Sequence, residues 1–380
     1  MKILGIESSC DETAAAVVEI DDNLDCKLLS NIVASSMDLH AKYGGVVPEI
    51  AARSHIESII SVIDEAVQPF GWDNIDAIAV TKGAGLGGSL LIGVMTARTL
   101  AITKNKPLYG VNHVEGHIYA NFLTSAAPEI SASYNMPSVA PVFPLLGLIV
   151  SGGHSQLVLF RNHFDYTLLG RTLDDAVGEA FDKVAKIVGL PYPGGPSVGK
   201  KALEGNPHAF DLPKAQMKSI SPALEALRLK YQRSNIKYPT HGYDFSFSGL
   251  KTAVLRQAQA MIGQDYTFPS RDLPGRLSEA QKADIAAVFQ RVAIETVVDK
   301  AVLAYQEFQP ASVVIGGGVA ASPELRHQLA DRLPVEINYQ DPGLMTDNGA
   351  MIATLGAFKA KLGQPTDDPY SLQPQPNLSM

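Results

Sequence analysis

Short apolar runs, broken by turn residues, are set out from the first positions of the chain in the order strand, turn, strand. Ile3-Leu4-Gly5-Ile6-Glu7 reads as one strand and Ala14-Ala15-Ala16-Val17-Val18-Glu19-Ile20 as the next, with the small and carboxylate residues Ser8 to Thr13 as the turn between them. The arrangement recurs as Leu145 to Val150, the turn Ser151-Gly152-Gly153-His154, and Ser155 to Phe160. Two such hairpins about one domain length apart predict a duplicated lobe.

Strand-to-helix signals follow each hairpin. Ile75 to Thr81 reads as a buried strand, Lys82 to Gly88 as a glycine-rich loop, and about Ser89 to Thr103 as an apolar helix. Such a loop can offer backbone N–H groups to an anion, or let a helix pack closely on a sheet. In the second half, Asp174 to Lys186 has helical spacing, Leu190 to Ser197 reads as a rigid loop, and about Glu279 to Phe308 as a long helix. The strand Ala311 to Ile315 then enters Gly316-Gly317-Gly318 and a helix around Pro323 to Asp331, a pattern that allows close approach of a phosphate-bearing ligand. A last helix opens near Asp347 and runs to about Leu362, and the Pro-rich stretch from Gln364 reads as a weakly ordered tail.

With 380 residues, 46% of them hydrophobic, the chain can bury a large core, and the length suggests two or three domains. Two cysteines, Cys10 and Cys26, make neither a disulfide framework nor a zinc cluster. No signal peptide or membrane span is legible, which points to a reducing cytoplasm. The net charge of −8 argues against indiscriminate nucleic-acid binding. Its distribution is uneven: from Lys200 to Lys237 eight Lys/Arg face three acids, so that segment carries +5 and the remainder −13. The island suits an RNA-facing surface or an ordinary solvated one.

The most chemical pattern is His113-Val114-Glu115-Gly116-His117 after the short apolar run Pro107 to Val111. On a helix, residues four apart share a face, roughly 6 Å apart along the axis, so both imidazoles can meet one metal ion. The plain alternative is two helix histidines that only pack or take hydrogen bonds. In the zinc-protease pattern H-E-x-x-H the glutamate is adjacent to the first histidine. Here Glu115 lies about 200° around the helix from His113, which argues against peptide hydrolysis. Asp347 is suited to capping a helix start and equally suited, as a hard oxygen donor, to completing a two-His-one-carboxylate site for Fe²⁺ or Zn²⁺.

The chain resembles the TsaD family of tRNA threonylcarbamoyltransferases. The resemblance is carried by Gly5 to Thr13, Gly44 to Glu49, the His113/His117 helix, Val150 to His154, Gly178 to Lys183, Tyr192 to Pro196, Phe245 to Lys251, Gly316 to Ala320 and Thr346 to Asn348, in order along the chain. It implies an α/β, two-lobed actin-like ATPase fold with a duplicated ribonuclease H-like core. The implied domains are residues 1–140 plus about 344–362 as the N-terminal lobe, 141–343 as the C-terminal lobe with a basic insertion at about 200–240, and a Pro-rich tail at 363–380. The implied reaction moves a threonylcarbamoyl group from threonylcarbamoyl-AMP to N6 of the adenosine 3′ of the anticodon in tRNAs reading ANN codons.

By the same resemblance, His113, His117 and Asp347 hold one divalent metal, Fe²⁺ ahead of Zn²⁺, and Ile149, Val150, Ser151, Gly152 and Gly153 form the phosphate-side hairpin. Asp182 and Gly195 line the nucleotide site, and Ser322 stands where the family often has Asn near the ligand. Asp11 or Glu12, in the first hairpin turn, would orient the adenine amine and accept its proton. The implied partners are tRNA, a TsaB-like paralogue and a TsaE-like P-loop ATPase, with no membrane; a homo-oligomer stays open. The family's Gly-Pro-Gly-Leu reads Gly83-Ala84-Gly85-Leu86 here, which only loosens a loop. An actin-like small-molecule kinase would share the hairpins without a use for the His pair, and a nucleotide-dependent RNA-binding ATPase would bind tRNA without modifying it.

Overall fold

The first two apolar runs pair as an antiparallel hairpin, β1 (Lys2–Glu7) and β2 (Glu12–Ile20), with Ile3 opposite Val18 and Ile6 opposite Ala15. The computed structural model describes residues 1–215, 225 and 242–380. They divide into two units, Met1–Pro141 with Tyr339–Met380, and Val142–Asn338.

The first unit adds β3 (Cys26–Ser35), β4 (Ala77–Gly83), β5 (Leu108–Asn112) and β6 (Leu123–Ala126), in the sheet order β5-β4-β1-β2-β3-β6. β4 and β5 run parallel to β1, and β2 and β3 are antiparallel neighbours. β1 is apolar without alternation because both of its faces are covered. Leu4 and Ile6 point to one face, where helices Pro48–Val67 and Gly87–Lys104 supply Ile59, Ile63, Val94 and Ala97. Gly5, of opposite parity, lies under helix Gly349–Lys361, where a Cβ would stand 2.2 Å from Ala353 N. Small residues at this contact let the helix lie directly on the sheet.

The second unit repeats the plan. β7 (Leu145–Val150) and β8 (Ser155–Asn162) form the hairpin, β9 (Asp165–Arg171) extends it, and β10 (Ser312–Gly316) and β11 (Ile337–Asn338) run parallel to β7, in the order β11-β10-β7-β8-β9. The same pairing in both units is the duplicated ribonuclease H-like core of the actin-like ATPase fold. The long periodic stretch is helix Glu279–Phe308, opened by a reciprocal cap: Gln281 N–H donates to Ser278 Oγ and Ser278 N–H to Gln281 Oε1.

The expectation of a weakly ordered tail changes. The chain returns to the first unit at Tyr339, and the Pro-rich end is docked there. Arg98 donates to the carbonyls of Pro369, Tyr370 and Leu372, the Asp367 carboxylate accepts from Gly110 N–H at 2.7 Å, and Leu372 is buried. Prolines discourage regular pairing but leave carbonyls free to accept, and one guanidinium collects three of them. The loop Lys82 to Gly88 is structural: Gly85 N–H donates to Pro376 O and Leu86 N–H to Ser9 O. In the basic island, Lys201 is paired with Glu204 and Glu279, and Lys214 with Glu295 and Asp299, so these two serve their own unit. Lys218, Arg228, Lys230, Arg233 and Lys237 lie outside the described residues.

Candidate metal centre

β5 ends at Asn112, whose side chain accepts from Val114 N–H (2.8 Å) and so caps helix His113–Tyr119. The cap starts the helix at the first histidine and puts His113 and His117 one turn apart, 5% and 2% exposed, with ring centroids separated by 4.8 Å. Asp347 comes from the end of the chain and lies one residue before the cap of helix Gly349–Lys361. The capping itself belongs to Asn348, which accepts from Met351 N–H. Asp347 Oδ1 stands 3.5 Å from His113 Nε2 and 3.4 Å from His117 Nε2.

These three are the group among the described residues that could hold a metal, with ligand atoms all within 4.8 Å of one another. The donor set fits one divalent ion: a carboxylate oxygen and two imidazole nitrogens, of which His117 Nε2 is buried yet makes no hydrogen bond. Glu115 is outside the group; burial pushes its carboxyl up to about 7, an effect Lys359 partly offsets. Burial alone would lower the pKa of His113, but Asp347 and Glu7 outweigh it and hold the ring at about 9.

The hairpin turn before β2 carries Asp11 and Glu12. Burial first, then the charges of Asp347 and Asp11, push the Glu12 carboxyl up to about 9. Two fully buried histidines, which the sequence pattern did not single out, brace this turn. Ser36 Oγ joins His40 Nε2 (3.1 Å) to the Asp11 carbonyl (2.8 Å). His55 Nε2 donates to the Cys10 carbonyl at 3.0 Å, while its Nδ1 meets Thr13 Oγ1 at 2.7 Å.

Burial lowers the pKa of His55 against the Cys10 carbonyl and the charges of Glu7 and Asp11. The fold therefore favours the neutral ring, and its stabilisation is present above the unfolded value of roughly 6.5. It is lost as the pH falls below that value, where the unfolded chain takes up a proton that the folded one resists. The melting temperature is expected to drop between pH 7 and pH 5, with a shallower slope in His55→Gln; equal slopes in calorimetric scans would remove His55 from the effect.

In the second unit, Ile149 and Val150 are buried in β7 and can offer only backbone. Ser151 shapes the turn, its N–H donating to His154 O and its Oγ accepting from His154 N–H. Gly152 and Gly153 are exposed, with open space where a Cβ would be. Helix Val177–Val188 starts against this turn, Gly178 N–H donating to Ser151 O. Its Asp182 accepts from Gly194 N–H at 2.6 Å, which brings Gly195 beside it. Gly317, at φ +90°, seats the turn after β10 on the end of β7, where a Cβ would be 2.5 Å from Val150 O. Ser322 caps helix Pro323–Arg332, its Oγ accepting from Leu325 N–H, a local use for the hydroxyl.

Glu7 is the site residue that sequence reading quoted without a role. Its one signal was a carboxylate closing an otherwise apolar strand.

Fold and site together define an actin-like ATPase-fold protein with a candidate mononuclear metal triad. Residues 27–354 match the family described as TsaD: tRNA N6-adenosine threonylcarbamoyltransferase. A tRNA N6-adenosine threonylcarbamoyltransferase of Thermomicrobium roseum is 46% identical over 376 residues, 97% of this chain and 94% of that one. Another, of Symbiobacterium thermophilum, is 47% identical over 367 residues, 95% and 92% of the two chains. The activator of the 2-hydroxyisocaproyl-CoA dehydratase from Clostridium difficile aligns at TM-score 0.43 and 14% identity, over 96% of each chain. The chain belongs to the TsaD family, and is a tRNA-modifying transferase.

Proposed function

We propose that the chain transfers threonylcarbamoyl from threonylcarbamoyl-AMP to N6 of the adenosine 3′ of the anticodon in tRNAs reading ANN codons. The observation that carries this reading is family membership over nearly the whole chain, joined to a His-His-Asp group with metal-ligand spacing. His113, His117 and Asp347 hold the ion, Fe²⁺ ahead of Zn²⁺ on the family's pattern. When bound, a divalent ion supplies Lewis-acid stabilisation of charge on carbamoyl and phosphate oxygens.

Gly152 and Gly153 take the AMP phosphate on exposed backbone amides, and Asp182 and Gly195 line the nucleoside side. The adenine N6 attacks the carbamoyl carbon, a C–N bond forms, the C–O bond to phosphate breaks, and AMP leaves with that electron pair. Asp11 accepts the proton from N6. Glu12, whose carboxyl is pushed up by burial and by the charges of Asp347 and Asp11, would orient the amine beside it.

A TsaB-like paralogue docks on the outer surface of helices Pro48–Val67 and Gly87–Lys104, where Ile56 and Ile60 on the first and Leu91 and Met95 on the second, each pair four residues apart, are exposed. A TsaE-like ATPase completes the set, and the protein works in the cytoplasm; among the described residues no helix is long and apolar enough to cross a membrane.

The test is transfer of labelled threonine, supplied as threonylcarbamoyl-AMP, to an ANN-decoding tRNA in the presence of both partners and metal. Label is expected on the tRNA with the wild-type chain and none with His113→Ala. No label with the wild type would overturn the reaction assigned here.

A further inference from the structure

Glu7 is 0% exposed, and burying a carboxylate is costly unless its oxygens are well supplied with donors. Oε1 accepts from Ser9 N–H at 2.5 Å, while Oε2 accepts from Thr81 Oγ1 at 2.6 Å and meets His113 Nδ1 at 3.2 Å. Ser9 Oγ also lies 3.1 Å from that ring nitrogen. The sheet makes this meeting unavoidable. β5, β4 and β1 are adjacent and parallel, and their carboxyl ends deliver Asn112 with His113, Thr81 and Glu7 to one edge. By parity with Gly5, Glu7 faces the side of the sheet that helix Gly349–Lys361 covers, and Asp347 precedes that helix.

We infer that Glu7 is a positioning residue for the metal ligand His113. An ionised carboxylate only accepts hydrogen bonds, so the Nδ1 facing it carries the proton. Nε2, on the side of Asp347, is then the nitrogen that yields its proton to an ion. A histidine held in this way keeps both its tautomer and its ring orientation, and becomes a more basic ligand. Thr81 holds the carboxylate from the neighbouring strand, so ring, carboxylate and hydroxyl form one chain of contacts across β5, β4 and β1. The inference rests on the reading of His113, His117 and Asp347 as a metal site.

Glu7→Gln keeps the size of the side chain and removes the acceptor-only character. With the amide oxygen on Ser9 N–H, the NH₂ faces His113 Nδ1 and drives the proton to Nε2, where it opposes metal binding. Zn²⁺ is the probe, measured by chelator competition on the full chain together with ¹H–¹⁵N spectra of the zinc-loaded protein. The wild type is expected to show His113 bound through Nε2 with a proton on Nδ1, and Glu7→Gln to bind Zn²⁺ roughly 10–100-fold more weakly. The metal-free variant is expected to melt within a few degrees of the wild type, since a buried charge has been removed along with its contacts.

Equal Zn²⁺ affinity in a folded Glu7→Gln protein overturns the role, as does a wild-type His113 bound to zinc through Nδ1. The second readout needs no variant, so it stands even if Glu7→Gln fails to fold. A wild-type chain that retains no Zn²⁺ overturns the metal reading itself, and with it this inference.

Discussion

An Asp347→Ala chain is expected to retain no metal after dialysis and to transfer threonylcarbamoyl at least ~10³-fold more slowly than the wild type, while melting within a few degrees of it. The rate follows from the several kcal/mol that a Lewis-acid ion contributes to a transition state, where ~4 kcal/mol corresponds to about 10³. Retention is lost because only the two imidazoles of the group remain once its carboxylate oxygen is removed. The fold survives because Asn348 caps the helix that follows, and its hydrogen bond to Met351 N–H is untouched. Metal content by mass spectrometry, transfer rate and calorimetry on one preparation check all three. A variant with full metal content would show that Asp347 is not a ligand, and one that is unfolded would assign it to structure.

Gly5→Val is expected to act on the same site through the sheet. A Cβ at Gly5 would lie 2.2 Å from Ala353 N and 2.5 Å from Gly349 O, both backbone atoms of a helix that cannot withdraw without uncovering β1, β2 and β4. Overpacking of this kind exceeds the usual range of about 1–3 kcal/mol, because no side chain is present to rotate away. A loss of about 4 kcal/mol, near 10 °C in melting temperature for a unit of this size, is the expected result. Asp347 precedes that helix, so metal affinity should fall along with stability. A Gly5→Val protein with a wild-type melting temperature would mean that the helix can slide on the sheet.

Much of this was legible from local pattern. The hairpins at β1/β2 and β7/β8, the long helix at Glu279–Phe308 and the His113/His117 spacing each depend on residues within one or two turns of each other. β3 is not legible in this way, because Cys26 to Ser35 mixes apolar and polar positions and becomes a strand by pairing with β2. The tail reads as loose because its prolines are visible in sequence, whereas its anchor, Arg98, is about 270 residues away. The role inferred for Glu7 was hidden for the same reason: its partners Thr81 and His113 lie 74 and 106 residues further on.

The first unit is discontinuous, and this bears on how the protein is made. A ribosome that has completed residues 1–141 has not yet supplied helix Gly349–Lys361 or Asp347. At ~5–20 residues per second, residues 142–338 occupy roughly 10–40 s of synthesis, during which one face of the first sheet has no cover and the two histidines have no carboxylate. Nascent chains are therefore most exposed to aggregation in that interval, and the group that could hold an ion is complete only once Asp347 and the helix after it have been made.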